Sequence, residues 1–337
     1  MRTPWRRYLF RFAIGSGATG AFLWLFLRQV DLGDAWHEIT TLPGWTMLAA
    51  LGLILTNVFF MSLRWKYLLS GAGYTIRKRK LFSTVSVGRA ANNILPARGG
   101  DLLRIESLRE QHVPAFVAAG TLFAERLLDG VVLSAWILLG ALMIGEGGAI
   151  LLTGIALSAG TAVGVFLVAL AARDKERTEA FIWRATKWLP PRWHTRAARA
   201  AAHFVEGLGA FRGRWRVFLV FTTSVAMWLA DLAMYYIVGQ AFDIDIGVGG
   251  FFLLEGVGNL ALAVPATAAG IGTFDYLTLV AAKGIDIPTD QATAYVLTMH
   301  ALTVLPITLL GAALLRPAFP RMFRRRRHDR APAEEVG

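Results

Sequence analysis

The 337-residue sequence contains no cysteine, which excludes disulfide bonds, thiol catalysis and thiolate metal sites. Charged residues are also scarce, at 17% against the roughly 25% of an ordinary soluble domain. Hydrophobic residues make up 55% of the chain, and the mean hydropathy is +0.49. Because the apolar residues come in long runs, the composition excludes a secreted disulfide scaffold, a disordered chain and a soluble enzyme. It predicts an all-α polytopic membrane protein.

Six stretches are long and apolar enough for helices that cross a bilayer, which takes about 20 residues. They cover roughly residues 10–27, 45–63, 119–145, 149–171, 217–241 and 291–315. The first stretch follows several arginines and imitates a signal peptide. No clear cleavage site follows it, so we interpret it as an uncleaved anchor.

Two further apolar stretches are interrupted by polar residues. Residues 81–96 lead into the polar segment 97–111, and residues 250–285 are broken at 264–267 and 270–272. Each pattern predicts two short half-helices with a non-helical joint. Such a joint is tolerated at membrane depth only where protein or a wet cavity covers it. Both segments are therefore predicted to be re-entrant, and a count by hydropathy would give seven or eight spans.

The distribution of charge predicts the orientation in the membrane. The net charge is +12, and the basic residues collect in the N-terminus, in residues 64–80, in residues 172–216 and in the tail. Loops 29–44 and 242–249 carry no Lys or Arg. The positive-inside rule then places both termini in the cytoplasm of the cell (inner) membrane. Cytoplasmic loops facing anionic lipid explain the excess of positive charge, so no nucleic-acid partner is expected.

The spacing of the spans predicts an inverted repeat within one integral membrane domain, residues 1–318. The order span, broken segment, span occurs twice, with offsets of about 175, 169 and 171 residues. The halves cover about 8–148 and 149–318; a basic amphipathic linker covers 173–215, and a polar tail covers 319–337. Each half crosses three times, so the second half is inverted, as in many secondary transporters.

The first broken segment carries the most unusual set of residues. Pro96 removes a backbone donor, the two glycines permit close approach, and arginines bind phosphate through a bidentate fork. The set suits a phospholipid or polyprenyl-phosphate headgroup; the alternative is an ordinary cytoplasmic Pro-Gly turn. The predicted headgroup-binding residues are Arg89, Asn92, Asn93, Pro96, Arg98, Gly99, Gly100, Asp101, Arg104 and Arg126.

Acidic residues inside the apolar stretches form a second candidate set, for charge or proton coupling. Glu125 and Asp129 share a helix face, and they either handle a headgroup or protons, or form structural ion pairs with Arg89 or Arg98. His300 either relays protons or is a buried, hydrogen-bonded histidine. The coupling set is Glu125, Asp129, Asp231, Glu255, Asp275 and His300, and the second re-entrant turn comprises Asn259, Pro265, Thr267, Gly270 and Gly272.

The motifs Asn92-Asn93-Ile-Leu-Pro96-Ala-Arg98-Gly99-Gly100-Asp101, Glu125-Arg126-x-x-Asp129 and Gly270-Ile-Gly272-Thr-Phe-Asp275 resemble one family. It is the flippase-like membrane domain of lysylphosphatidylglycerol synthases, also called UPF0104, and the resemblance covers about residues 8–318. Asp101 and Asp275 depart from the glutamates expected there. The cytosolic aminoacyl-transferase domain of the full synthases has no counterpart, so aminoacylation is not carried over.

The resemblance implies movement of a phosphate-bearing lipid across the membrane, as a flippase or scramblase. The sequence has no catalytic motif and no soluble stretch large enough for a catalytic domain, so neither enzymatic activity nor a cofactor is expected. Two alternatives stay open. One is a membrane-embedded transferase acting on a lipid-linked substrate, with Glu125 or Asp129 as its base. The other is a non-transporting partner of a glycosyltransferase or another lipid-modifying enzyme, because some relatives accompany such enzymes. Membrane lipids are the expected partners in each case.

Overall fold

The computed structural model describes residues 40–95, 98–145, 148–188, 190–263 and 268–315. This part of the chain is helical. The α-helices are α1 (Gly44–Gly71), α2 (Lys78–Ile94), α3 (Gly99–Arg109), α4 (Ala115–Ile144), α5 (Ala149–Arg173), α6 (Lys175–Ala185), α7 (Pro191–Gly207), α8 (Arg214–Ala241), α9 (Gly247–Ala263), α10 (Thr273–Gly284) and α11 (Thr289–Leu315). Short 3₁₀ turns cover Gly209–Arg212 and Ala268–Gly270.

Five of these helices, α1, α4, α5, α8 and α11, are long and apolar enough to cross a membrane. They correspond to five of the six predicted spans, which confirms a polytopic helical membrane protein. The predicted first span, residues 10–27, and the tail, residues 319–337, lie outside the described residues. Helix α1 runs about two turns beyond the predicted end at residue 63, so Arg64 belongs to the helix and not to a loop.

Both interrupted stretches form two helices separated by a joint, as predicted. Helices α2 and α3 are separated by residues 95–98, and α9 and α10 by residues 264–272. Arg98 precedes α3 with φ 55°, in the left-handed region. At the second joint Gly270 and Gly272 also have positive φ, which glycine adopts without steric cost. In each case a residue with positive φ lies directly before the second helix, Arg98 before α3 and Gly272 before α10.

The two halves show matching helices. Helices α1 and α8 are both 28 residues long, and α2 and α9 are both 17 residues long. Helix α2 packs against α11, and α9 packs against α4, so the first arm of each broken helix lies on the last helix of the other half. Since α2 matches α9 and α4 matches α11, the two contacts are equivalent in the two halves. Equivalent contacts of this kind are expected of a repeat.

Contacts between α1 and α8 give the relative direction of the halves. Asn57 contacts the Met227 carbonyl, Arg64 contacts Ser224, and Gly71 packs on Ala210 just before α8. As the residue numbers rise along α1, the numbers of the residues that they contact fall from 227 to 210. These matching helices therefore run antiparallel. Matching helices that run antiparallel are what an inverted repeat requires.

The basic linker forms two helices, α6 and α7, that pack on each other and on the bundle. Pro191 occupies the first turn of α7, where its missing N–H costs nothing. Gly207 at the end of α7 lies directly against Gly120 of α4, where a side chain on either residue would clash. The linker is therefore attached to the bundle at a close helix crossing, while Trp183, Trp188 and Trp193 remain exposed.

Candidate functional site

A cavity of about 410 Å³ lies between the two broken helices and the helices α1, α4, α8 and α11. Its volume falls in the range of small-molecule sites. Three guanidinium groups line it, Arg89, Arg98 and Arg126, together with two carboxylates, Asp129 and Asp231. With all five groups ionised, the formal charge of the lining is +1. The cavity therefore favours an anionic group.

Four asparagines line the same cavity, and two of them belong to a network of hydrogen-bonded side chains in its lining. Arg89 Nη1 donates to Asn57 Oδ1 at 2.7 Å, and Asn57 Nδ2 reaches Asp231 Oδ1 at 3.5 Å. Asn259 Nδ2 donates to Asp231 Oδ2 at 3.1 Å. This network joins α2, α1, α8 and α9 and contains residues from both halves. The lining asparagines are Asn57, Asn92, Asn93 and Asn259.

Arg98 connects the two joints directly. Its Nη2 donates to the Leu262 carbonyl at 3.1 Å, near the end of α9. That carbonyl is one of the last in its helix, where carbonyl groups commonly bond to partners outside the helix. Arg98 itself lies directly before α3, with a left-handed backbone, and its side chain extends to the end of α9. Its guanidinium lines the cavity at the same time.

Asp101 holds the neighbouring cation in place. Arg126 Nη2 lies 3.3 and 3.2 Å from the two Asp101 oxygens, and Asn92 donates to Oδ1 at 3.2 Å. Helix α3 is a polar helix outside the long apolar spans. Burial alone would raise the pKa of the Asp101 carboxyl, but the Arg126 and Arg104 guanidiniums outweigh it and hold the pKa below its ordinary value. Asp101 is therefore a carboxylate that fixes Arg126 at the cavity wall.

Asp129 forms an ion pair, but with partners other than the predicted Arg89 or Arg98. Arg64 Nη1 lies 2.6 Å from Asp129 Oδ1, and Trp228 Nε1 donates to the same oxygen at 3.2 Å. Arg126 approaches Oδ2 at 3.5 Å. The prediction of a different partner was wrong because α1 extends through residue 64 and carries its arginine into the bundle. Asp129 remains part of the cavity lining.

Arg104 and Glu125 lie apart from the cavity. Arg104 Nη2 is 2.9 Å from Glu125 Oε2, and the two side chains are 1% and 0% exposed. The Arg104 guanidinium also lies over the Trp65 ring, with Cζ 4.1 Å from the centroid. Glu125 therefore pairs with Arg104 and not with the predicted Arg89 or Arg98. Both charges are neutralised inside the protein, where a headgroup in the cavity does not reach them.

The second joint has its own hydrogen-bonded pair. His300 Nδ1 lies 2.5 Å from Asp275 Oδ1, and His300 Nε2 lies 3.0 Å from the Ala269 carbonyl. The Gly272 N–H donates to Asp275 Oδ2 at 2.8 Å, which caps the start of α10. His300 is thus a hydrogen-bonded, half-buried histidine that ties α11 to the turn before α10.

The remaining predicted residues divide into three groups. Asn93 donates to Val304 and Thr308 of α11 while lining the cavity, and Gly270 lines it as well. Gly99 and Gly100 start α3, Gly272 caps α10, and Glu255 of α9 is wholly buried and does not line the cavity. Pro96, Pro265 and Thr267 lie outside the described residues.

Arg64 and Asn57, which bind charged groups of this site, were not among the predicted residues. Arg64 looked like an ordinary basic residue after a span, and Asn57 looked like an isolated amide in an apolar run. The signal that would have found Asn57 is its position near the centre of α1, since polar groups at membrane depth face partners or cavities. To predict that Arg64 lies in the bundle, one would have to know where α1 ends, and hydropathy does not give that position.

Comparison with known proteins agrees with this architecture. Residues 8–311 match the family described as the lysylphosphatidylglycerol synthase TM region. The match covers most of the sequence, so the chain belongs to this family of multi-pass membrane proteins.

Two relatives extend the comparison. The UPF0104 membrane protein MJ1595 of Methanocaldococcus jannaschii is 23% identical over 289 residues, covering 81% of this chain and 84% of that protein. Glycosyltransferase AglD of Haloferax volcanii is 26% identical over 248 residues, covering 63% of this chain and 39% of that protein. The chain thus corresponds to less than half of the Haloferax protein.

Proposed function

We propose that this protein moves a phosphate-bearing lipid across the membrane. The observation that carries the proposal is the cavity between the two broken helices, where Arg89, Arg98 and Arg126 meet carboxylates and amides from both halves. A phosphodiester carries one negative charge, which the formal +1 charge of the lining balances. Arginine suits this role because its planar fork matches two phosphate oxygens at once.

The walls of the cavity support a ligand that is only partly polar. Met61, Leu133, Leu260 and Leu262 line it beside the charged groups. In the proposed mechanism the headgroup occupies the polar part of the cavity near Asn57, while the hydrocarbon chains stay in the bilayer. Arg98 binds the phosphate, and Asn92 donates to a free oxygen through the N–H that its bond to Asp101 leaves over. Asn93 was predicted to share this role, but both of its amide N–H groups are bonded to α11, so it shapes the cavity wall instead. The headgroup thereby exchanges water for fixed donors, which lowers the cost of entering the apolar layer.

Reconstituted vesicles test the proposal. Fluorescent phosphatidylglycerol, a short polyprenyl phosphate and a phosphate-free hexosylceramide are each incorporated, and a membrane-impermeant reductant quenches the outer leaflet. We expect quenching well past half for at least one phosphate-bearing probe, and quenching near half for the hexosylceramide. Equal transport of all three probes, or of none, would contradict a phosphate-selective pathway.

Matched variants connect transport with the cavity. Arg98→Ala removes the guanidinium that lines the cavity and bridges the joints, and we expect quenching to stop near half. Arg109→Ala removes an exposed arginine on the same helix, paired with Glu106 at 2.9 Å, and should transport like the wild type. Unchanged transport by folded Arg98→Ala protein would contradict the assigned role.

A second candidate rests on the relative named as a glycosyltransferase. In this alternative the membrane domain presents a lipid-linked sugar to such an enzyme and does not move it. A photoreactive polyprenyl phosphate would then label the cavity of the wild type, whereas the same probe would not cross in the vesicle assay. Labelling together with crossing favours transport.

A further inference from the structure

The linker between α5 and α8 returns to the place where it leaves the bundle. Helix α5 ends at Arg173, and α8 begins at Arg214. Arg212 Nε donates to the Ala172 carbonyl oxygen at 2.7 Å, which joins the turn before α8 to the last turn of α5. Both helices are long and apolar enough to cross a membrane, so this contact places both ends of the linker at the same membrane face.

Exposed aromatic side chains lie at this face. Trp215 and Phe218, in the first turns of α8, are exposed, and their rings stack with centroids 5.2 Å apart. Exposed aromatic rings at the end of a span are typical of the boundary between hydrocarbon and lipid headgroups. Helix α6 begins directly after α5, with Asp174 between them, so the linker starts at this boundary.

One face of α7 packs on the bundle. The Phe204 ring packs against Phe123 of α4, with centroids 5.5 Å apart, and Val205 is buried. The opposite face carries exposed arginines three and four positions apart, which places their side chains in one row. They are Arg192, Arg196 and Arg199. The face of α7 directed away from the bundle is therefore basic.

Aromatic side chains lie among these cations. The Trp183 ring of α6 and the His194 ring of α7 have centroids 4.1 Å apart, and Arg196 Cζ lies 5.8 Å from the centroid of the Trp193 ring. We use the name linker surface for the exposed aromatic and basic side chains between residues 181 and 199. Its aromatic residues are Phe181, Trp183, Trp188 and Trp193, and its basic residues are Arg184, Lys187, Arg192, Arg196 and Arg199.

The positive charge of the linker surface is not balanced by nearby carboxylates. Among the described residues, none of its five basic side chains forms an ion pair. Asp174 pairs instead with Arg177 at 3.0 Å, and Glu206 contacts His203 at 3.4 Å. A solvated charged face would explain the basic residues alone, but not four exposed aromatic rings among them. A partner that is both anionic and apolar matches the two kinds of side chain together.

We propose that the linker surface binds anionic lipid headgroups at the membrane face where α5 ends. Basic side chains attract anionic lipids, and tryptophan places its apolar ring in the interfacial layer while its N–H reaches water. An acidic protein would match the charges too, but the linker is fixed at the ends of two spans, where the lipid layer is already present. The Gly207–Gly120 contact holds α7 against the bundle and keeps its basic face outward. The inference concerns the linker and does not rest on lipid transport.

The absence of cysteine in the sequence allows a single reporter on the linker. Ala180→Cys places a thiol on the exposed side of α6, one turn before Arg184, and a fluorescent dye is attached to it. The labelled full-length protein is reconstituted in nanodiscs of phosphatidylcholine alone, and in nanodiscs of phosphatidylcholine mixed with phosphatidylglycerol. A trace lipid with a nitroxide on its headgroup quenches the dye where the linker contacts the headgroup layer.

We expect severalfold stronger quenching in the nanodiscs with phosphatidylglycerol, and a decrease at high salt, because salt screens the attraction. Arg196→Gln should lower the ratio of quenched to unquenched dye on the order of fivefold, the effect of one cation at an anionic surface. Arg109→Gln, which removes an exposed arginine of α3, should leave that ratio unchanged.

Three results would overturn the proposal. Absence of quenching in both kinds of nanodisc would show that the linker surface stands away from the membrane and is free for a protein partner. Equal quenching in both kinds would show that it does not prefer anionic lipid. Equal quenching in folded Arg196→Gln and Arg109→Gln protein would show that the arginine row of α7 does not contribute.

Discussion

Arg64 of α1 and Asp129 of α4 form an ion pair of 2.6 Å, with the arginine side chain fully buried. Ser224 and Trp228 of α8 contribute to the same cluster, so one pair joins three long helices. Helices α1 and α8 come from different halves of the chain. The cluster therefore joins the two halves and forms part of the cavity wall, through Asp129 and Trp228.

Replacing Arg64 should destabilise the protein more than replacing an exposed arginine. Arg64→Met leaves Asp129 buried with weaker partners, and breaking such a pair typically costs about 3–5 kcal/mol. We expect a clearly lower thermal midpoint in detergent, measured by loss of the monodisperse peak after heating. Arg109→Met is the control, because Arg109 is exposed and its pair with Glu106 contributes little. Equal midpoints for the two variants would contradict the structural role of Arg64.

Arg104 and Glu125 should behave as one structural unit. Arg104→Met leaves the buried Glu125 carboxylate without its cation and should cost about 3–5 kcal/mol. Glu125→Met leaves Arg104 only the longer 3.9 Å contact with Asp101, so we expect a loss toward the lower end of that range. The double variant removes both charges, so we expect its thermal midpoint to recover toward the wild type and its lipid transport to be retained. Transport lost in a stable double variant would show instead that Arg104 or Glu125 acts in transport.

The start of α3 should not tolerate a side chain at Gly100. A Cβ atom there would overlap the Gly88 carbonyl oxygen of α2, which is backbone and cannot rotate away. Gly100→Ala should therefore separate α2 from α3 and lower the thermal midpoint, by about 1–3 kcal/mol or more. Gly160→Ala on α5 is the matched control, since a Cβ there meets nothing within 4 Å. Similar midpoints for both variants would contradict the close packing.

Much of the helical architecture could be predicted from the sequence, because the length of an apolar run is a local property. Five apolar spans and both broken helices follow from such runs. The pairing of charges could not be predicted in this way. Asp129 meets Arg64, 65 positions away, only because α1 is longer than its apolar core. The Asn57–Asp231 contact depends on how α1 crosses α8.

The structure places only some of the predicted headgroup residues at the cavity, and the spacing of these residues in the sequence does not show which ones. Arg98 and Arg104 are six positions apart and looked equivalent as phosphate ligands. The structure directs Arg98 into the cavity and Arg104 onto Trp65 and Glu125. Arg98 lies directly before α3 with a left-handed backbone, whereas Arg104 lies within that helix.

The most direct test of the account compares wild-type protein with Arg98→Gly in the vesicle assay. Glycine adopts φ 55° without the cost of about 1–2 kcal/mol that a side chain carries there. That gain offsets the lost hydrogen bond to the Leu262 carbonyl, worth about 1 kcal/mol, so the variant should fold normally. We predict quenching well past half for the wild type with a phosphate-bearing probe, and quenching near half for Arg98→Gly. Equal transport by the two folded proteins would contradict the central role of the cavity.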